Sequence, residues 1–162
     1  MKSLLILRHA KSSWANSYMA DHERPLNDRG KQDAPQIGQL LRQEDLVPDL
    51  IISSTAERAL STAEAVALTS GYEAGIQTTR QLYHGGPEKY LEVIREQGGD
   101  AERVLVVGHN PTVEELVELL TEATEQMSTA ALAHVQIDIN SWQELVEGIE
   151  GKLVQVWRPK EL

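Results

Sequence analysis

The sequence predicts an α/β fold, a single three-layer α/β/α domain over residues 1–162 with a mostly parallel central sheet and helices on both faces. Short β-rich apolar runs alternate with longer segments of helical periodicity, which is typical of strand–helix–strand units. The early runs are apolar throughout, which indicates strands buried on both faces. The late runs alternate between apolar and polar residues, which is typical of antiparallel strands near a sheet edge.

Six runs are predicted as strands. Four early ones lie at 3–7, 50–52, 76–79 and 104–107, and two late ones lie at 132–139 and 153–157. Ser53 and Ser54 close the second run, and Gly148 and Gly151 offer a turn between the last two. The late pair is therefore predicted to be antiparallel.

Four segments between the strands carry apolar residues at helical spacing. Their stripes are Ala34, Ile37, Leu40 and Leu41; Ala59, Leu60, Ala63, Val66 and Ala67; Leu91 and Ile94; and Val113, Leu116, Val117 and Leu120. The last helix has a clear predicted start. Asn110 is expected to be its N-cap and Pro111 its first residue.

Composition and charge limit the classes of function. The chain has no cysteine, which excludes disulfides, zinc–thiolate sites and cysteine nucleophiles. Its net charge of −10 repels nucleic acid and other anions at long range, so an anion site must be a local positive pocket. The first apolar run is too short for a secretory signal, and no run is long enough to span a membrane. We therefore expect a cytoplasmic protein.

Polar side chains collect where three predicted strands end. Arg8 and His9 follow the first strand, Arg58 lies just after the second, and His109 follows the fourth. Because ligands of open α/β sheets bind at the carboxyl ends of the strands, we expect these four side chains to meet.

The residue types in this group favour phosphate chemistry. A guanidinium presents a planar fork of donors that matches phosphoryl oxygens. A neutral histidine can attack phosphorus, and surrounding cations keep it neutral by lowering its pKa. Alone, each of these residues is more easily explained as a polar strand end, a solvated helix residue or a capping group. Together they predict a phosphoryl-transfer site.

Four separated blocks of the chain resemble motifs of the histidine phosphatase superfamily. They are Leu5-Ile6-Leu7-Arg8-His9-Ala10, Arg24-Pro25-Leu26-Asn27-Asp28-Arg29-Gly30, Ser53-Ser54-Thr55-Ala56-Glu57-Arg58 and Val106-Val107-Gly108-His109-Asn110. The resemblance implies a phosphoglycerate-mutase-like fold without metal or cofactor. It implies that His9 is phosphorylated during turnover, that Arg8 and Arg58 bind phosphoryl oxygens, and that His109 donates a hydrogen bond to them.

Arg24 opens one of these blocks and is a candidate for a third substrate-binding cation. The alternative is an ordinary loop arginine paired with Asp21 or Glu23. Lys11, Ser12 and Trp14 are candidates for the rim of the site.

Two departures from the family pattern carry information. Ala10 stands where the family usually has glycine, and we expect a backbone angle there that alanine can adopt. Tyr83 stands near the place where larger members carry a glutamate as general acid. A phosphohistidine has a good leaving group and needs no strong acid, so the chain most resembles the small SixA-type phosphohistidine phosphatases.

The predicted function is a phosphatase for phosphohistidine proteins, with a histidine-containing phosphotransfer domain as one partner the site could admit and inorganic phosphate as product. Neither nucleic acid nor a membrane is an expected partner. A phosphoserine or small-molecule phosphomonoesterase of the same superfamily is the first alternative. A mutase and a phosphate-binding module without turnover are the others.

Overall fold

The computed structural model describes residues 1–162 and contains six strands and five helices. The strands are β1 (Lys2–Arg8), β2 (Leu50–Ser54), β3 (Ile76–Thr79), β4 (Arg103–Gly108), β5 (Leu132–Ile137) and β6 (Gly151–Trp157). The helices are α1 (Asp28–Gln43), α2 (Glu57–Ser70), α3 (Gln81–His84), α4 (Pro87–Gln97) and α5 (Thr112–Thr121). Short 3-10 turns lie at Asp21–Glu23, Trp142–Glu144 and Pro159–Glu161.

All six strands form one sheet in the order β3-β2-β4-β1-β5-β6. The pairs β2/β3, β2/β4 and β1/β4 are parallel, whereas β1/β5 and β5/β6 are antiparallel. The mostly parallel sheet and the antiparallel late pair are confirmed. The topology places β1 in the interior of the sheet, with a hydrogen-bonded neighbour on each side.

The sheet separates two hydrophobic cores, and successive residues of β1 face opposite ones. Leu4 and Ile6 pack in the core beneath α4 and α5, while Leu5 and Leu7 pack in the core beneath α1 and α2. All four are fully buried. Each such side chain contributes about 1.5–3 kcal/mol to stability. This two-sided burial explains why the early strands are apolar without alternation, and it confirms the three-layer prediction.

One local prediction was wrong. Helix α5 begins at Thr112 with Pro111 in the N-cap position. Asn110 does not cap it, because its side-chain Nδ2 donates to the carbonyl oxygen of Met127 at 2.7 Å. The segment after β3, which is not among the four predicted helices, forms the one-turn helix α3. None of the helices is long and apolar enough to cross a membrane.

Gly30, in the first turn of α1, packs against the backbone of Lys11. A methyl group at Gly30 would overlap the Lys11 carbonyl oxygen, which also accepts a hydrogen bond from the Asn27 N–H at 3.0 Å. We expect Gly30→Ala to lower the free energy of unfolding by about 1–3 kcal/mol, measured by urea denaturation, because backbone cannot move aside as a flexible side chain can. Gly75→Ala is the matched control, since a methyl group there meets open space. Equal stability of the two variants would contradict this prediction.

Candidate active site

The carboxyl ends of β1, β2 and β4 border a cavity of about 360 Å³. Its lining residues are Arg8, His9, Lys11, Ser12, Trp14, Arg24, Arg58, His109, Asn110 and Thr129. The structure thus brings together all five residues that the sequence singled out, namely Arg8, His9, Arg24, Arg58 and His109. The rim candidates Lys11, Ser12 and Trp14 also line it, and no aspartate or glutamate does.

His9 is held in one tautomer by its own loop. Its Nδ1 lies 2.7 Å from the carbonyl oxygen of Ala10, which can only accept, so the proton is on Nδ1. The lone pair of His9 is therefore on Nε2. Ala10 is fixed in turn, because its N–H donates to Thr62 Oγ1 at 2.9 Å. Its φ is not positive, which confirms that alanine fits this position.

A second hydrogen-bond chain orients His109, whose ring centroid lies 5.1 Å from that of His9. His109 Nε2 is 2.8 Å from Ser54 Oγ, and that oxygen also accepts the N–H of Ala56 at 3.2 Å. The Ser54 hydroxyl proton is then free to donate to Nε2. When the Ser54 hydroxyl donates in this way, the His109 proton is on Nδ1, an atom that is buried and has no partner within the protein.

Both imidazoles are neutral at physiological pH. Burial, followed by the charges of Arg58, Arg8 and Arg24, lowers the pKa of His9 to about 4. Burial, followed by His9 and Arg58, lowers the pKa of His109 to about 3. A neutral imidazole retains the lone pair that nucleophilic attack requires.

The guanidinium groups are anchored by the protein but retain donors. Arg8 donates from Nη1 to the carbonyl oxygen of Met127 at 3.1 Å, while its buried Nε has no partner. Four buried side-chain nitrogen and oxygen atoms in the chain lack a partner, and three of them belong to residues that line this cavity: Arg8, His109 and Asn110. Such a concentration of unsatisfied polar atoms fits a site for a polar ligand.

Asp21 joins two of the arginines and was missed as a site residue by sequence reasoning. Its Oδ1 accepts from Arg24 Nη1 at 2.7 Å, and its Oδ2 accepts from Arg58 Nη2 at 3.0 Å and from Tyr83 Oη at 2.7 Å. Burial alone would raise the pKa of Asp21, but these hydrogen bonds outweigh it and hold that pKa well below its usual range. Asp21 is therefore a carboxylate.

Arg24 satisfies both descriptions that the sequence allowed. It pairs with Asp21, as an ordinary loop arginine would, and it also lines the cavity while almost fully buried. Its Nε donates to the carbonyl oxygen of Ser13 at 3.2 Å, and its Nη2 donates to Ser12 Oγ. The guanidinium carbon lies 3.3 Å from the ring centroid of Trp14, a cation–π contact.

Tyr83 packs near the site without offering an acid. Burial and the hydrogen bond to Asp21 raise the pKa of Tyr83, so its hydroxyl holds its proton. His84, the next residue, is exposed, does not line the cavity and accepts a hydrogen bond from Arg80 Nε at 3.1 Å. Neither side chain replaces the general acid that larger family members carry.

The low pKa values of the buried histidines have a consequence for stability. Unfolded histidine has a pKa near 6.5, so between about pH 6.5 and 4 the unfolded chain binds protons that folded His9 and His109 do not. The contribution of these two histidines to the free energy of unfolding is therefore fully present above about pH 6.5 and is lost as the pH falls through this window. We expect the Tm to drop between pH 7 and pH 5, and to drop less in His9→Asn, as measured by circular dichroism. Parallel pH profiles for the two proteins would contradict this.

Comparisons with known proteins agree with the geometry. Residues 4–83 match the family model described as histidine phosphatase superfamily (branch 1). An uncharacterized chloroplast protein of Arabidopsis thaliana is 32% identical over 152 residues, covering 88% of this chain and 70% of that protein. An uncharacterized protein of Mycobacterium tuberculosis is 36% identical over 114 residues, covering 70% of this chain and 69% of the relative.

Two solved structures of proteins named SixA resemble this chain over 98% of its length. The protein from Agrobacterium tumefaciens has a TM-score of 0.82 at 28% identity over 98% of its own chain. The protein from Nakamurella multipartitia has a TM-score of 0.84 at 27% identity over 96% of its own chain. The phosphoglycerate-mutase-like fold is confirmed by these matches. The sequence blocks, the family model and the shared architecture agree, and the chain belongs to the histidine phosphatase superfamily.

Proposed function

We propose that this protein is a phosphohistidine phosphatase that works through a phosphoenzyme on His9. The observation that carries the proposal is the tautomer of His9. Its Nδ1–H is used by the Ala10 carbonyl, so Nε2 is the nucleophile, and it lies in a cavity lined by Arg8, Arg24 and Arg58. A neutral nucleophile among cations is what transfer of an anionic phosphoryl group requires.

The reaction has two displacement steps. His9 Nε2 attacks phosphorus, the P–N bond of the substrate breaks, and its electron pair returns to the leaving imidazole, which takes a proton from solvent. A water molecule then attacks phosphorus, the bond to Nε2 breaks, and inorganic phosphate leaves. Arg8 and Arg58 bind the phosphoryl oxygens in both steps, and His109 donates to one of them from Nδ1. Arg24, which also lines the cavity, adds a third positive charge that stabilises the anionic phosphoryl group.

The absence of an acid on the cavity wall favours a phosphoramidate substrate. Asp21 is ionised and does not line the cavity. Its two carboxylate oxygens already accept hydrogen bonds from Arg24, Arg58 and Tyr83, so Asp21 cannot serve as the proton donor. An alkoxide leaving group needs a proton donor of suitable pKa, whereas an imidazole leaves readily once protonated near neutral pH. The names of the two similar SixA proteins, which include the term phosphohistidine phosphatase, support the same substrate class.

A substrate panel tests the proposal. We expect phosphoimidazole and a histidine-phosphorylated protein to be hydrolysed with kcat/KM at least 100-fold above those for phosphoserine and an alkyl phosphate. Equal rates for all four would instead support a general phosphomonoesterase. Phosphate binding without release from any substrate would support a binding module and contradict the proposal.

A further inference from the structure

A basic groove adjoins the catalytic cavity. It has a volume of about 120 Å³ and shares Lys11 and Thr129 with the cavity wall. The other charged residues that line it are Arg29 and Asp33, from the first turns of α1, and Lys160, from the Pro159–Glu161 turn that contacts α1. Gly30 allows α1 to approach the Lys11 backbone closely, which places Arg29 beside this loop.

The groove is positive although the whole chain has a net charge of −10. Arg29 Nε is 3.2 Å from both carboxylate oxygens of the buried Asp33, so that charge is balanced. The side chains of Lys11 and Lys160 make no ion pair and no hydrogen bond. Three cations and one carboxylate leave a local charge of +2 beside the phosphoryl site, with two exposed ammonium groups available to a ligand.

We propose that this groove is a second anion subsite, which binds a carboxylate side chain flanking the phosphohistidine of a protein substrate. The proposal rests on the proposed function and specifies the surroundings of the phosphorylated residue. A carboxylate in the groove is attracted by the ammonium groups of Lys11 and Lys160, whereas the rest of the acidic surface repels it. The groove therefore fixes which side of the substrate faces α1.

The exposed loop at the cavity rim favours a protein as the source of this carboxylate. Trp14 lines the cavity, yet 77% of its surface is exposed, and Tyr18 in the same loop is 99% exposed. Exposed aromatic side chains at the rim of a site are typical of surfaces that contact a protein partner.

Two histidine-phosphorylated peptides of the same length test the subsite, one with glutamates flanking the phosphohistidine and one with glutamines. For the wild-type protein we expect kcat/KM to be about fivefold higher for the glutamate peptide at low ionic strength, with the preference disappearing at 0.5 M salt. Phosphoimidazole, which has no flanking residues, is measured in parallel to report the phosphoryl site itself.

Two variants with the same change in net charge locate the effect. Lys160→Glu reverses a charge in the groove, and Lys152→Glu reverses an exposed charge five residues before the end of β6, about 17 Å from the sheet edge that carries the site. We expect the glutamate preference to be lost in Lys160→Glu and kept in Lys152→Glu. Lys160→Ala, which removes the charge without introducing a new one, should reduce the preference to an intermediate value.

Several results would overturn the subsite. They are equal wild-type rates for the two peptides, loss of the preference in Lys152→Glu, or a Lys160-dependent preference for a small bisphosphorylated compound over the glutamate peptide. In each case continued hydrolysis of phosphoimidazole would leave the proposed function standing. Failure of the wild-type protein to hydrolyse phosphoimidazole would instead remove the proposed function.

Discussion

Replacement of His9 by alanine is expected to abolish the phosphoenzyme and to reduce phosphoimidazole hydrolysis by on the order of 10⁴-fold. The physical reason is that no other neutral histidine in the cavity has a ring nitrogen whose lone pair is free of a hydrogen bond. His109 is also neutral, but its Nε2 is occupied by Ser54 Oγ. The measurement is trapping of the phosphoryl group from a labelled substrate by a denaturing quench at alkaline pH, at which phosphohistidine is stable, followed by mapping of the modified residue.

His84→Ala is the matched control for this experiment. His84 is exposed and outside the cavity, so we expect the variant to form the phosphoenzyme and to keep its hydrolytic rate within about twofold. Labelling of a residue other than His9, or full hydrolysis by His9→Ala, would refute the mechanism. Because the alanine leaves space where an imidazole stood, added imidazole is expected to restore part of the activity toward a histidine-phosphorylated protein, whose phosphoryl group it can accept and pass to water.

Arg8→Ala is expected to have the second largest effect, a decrease in kcat/KM of about 10²–10³-fold. Arg8 ends β1 and its Nη1 is anchored on the Met127 carbonyl, so the guanidinium reaches the cavity in a fixed orientation. A charge-assisted, bidentate contact to phosphoryl oxygens strengthens as negative charge is redistributed in the transition state. Steady-state kinetics with phosphoimidazole, together with the Kd for inorganic phosphate, measure the loss.

Arg8→Lys separates geometry from charge in this prediction. Lysine retains the positive charge but lacks the planar fork, so we expect an activity between those of the wild type and Arg8→Ala. Arg42→Ala, in the last turn of α1, removes an exposed arginine that makes no ion pair and serves as the control. Loss of activity in Arg8→Ala no greater than in Arg42→Ala would show that Arg8 does not bind the phosphoryl group.

Much of the fold and of the site could be predicted because local patterns encode them. The apolar runs follow from burial of each strand between two cores, and the residues that end three parallel strands must meet at one edge. His9, Arg8, Arg58 and His109 lie at such ends, so their convergence on one cavity followed from the strand assignment alone. Arg24 lies outside a strand end, and only its resemblance block indicated it.

The parts that sequence reasoning missed depend on contacts between distant segments. Asp21 became a site residue because Arg58, 37 positions later, reaches back to it, and no local pattern reports such a pairing. The four residues of α3 are too few to show a helical period. Asparagine is a residue type that often caps a helix, but the side-chain amide of Asn110 donates to the carbonyl oxygen of Met127. A tertiary contact therefore overrides the local preference.

The interior position of β1 has a consequence for how this protein acquires its structure. β1 pairs with β4 and β5, which begin at positions 103 and 132. Contacts of such high sequence separation slow folding, because a long chain must close before they form. His9 therefore remains outside any ordered pocket until the chain has been synthesised through β5, and we expect that a nascent or truncated chain that ends before β5 does not assemble the phosphoryl-binding cavity.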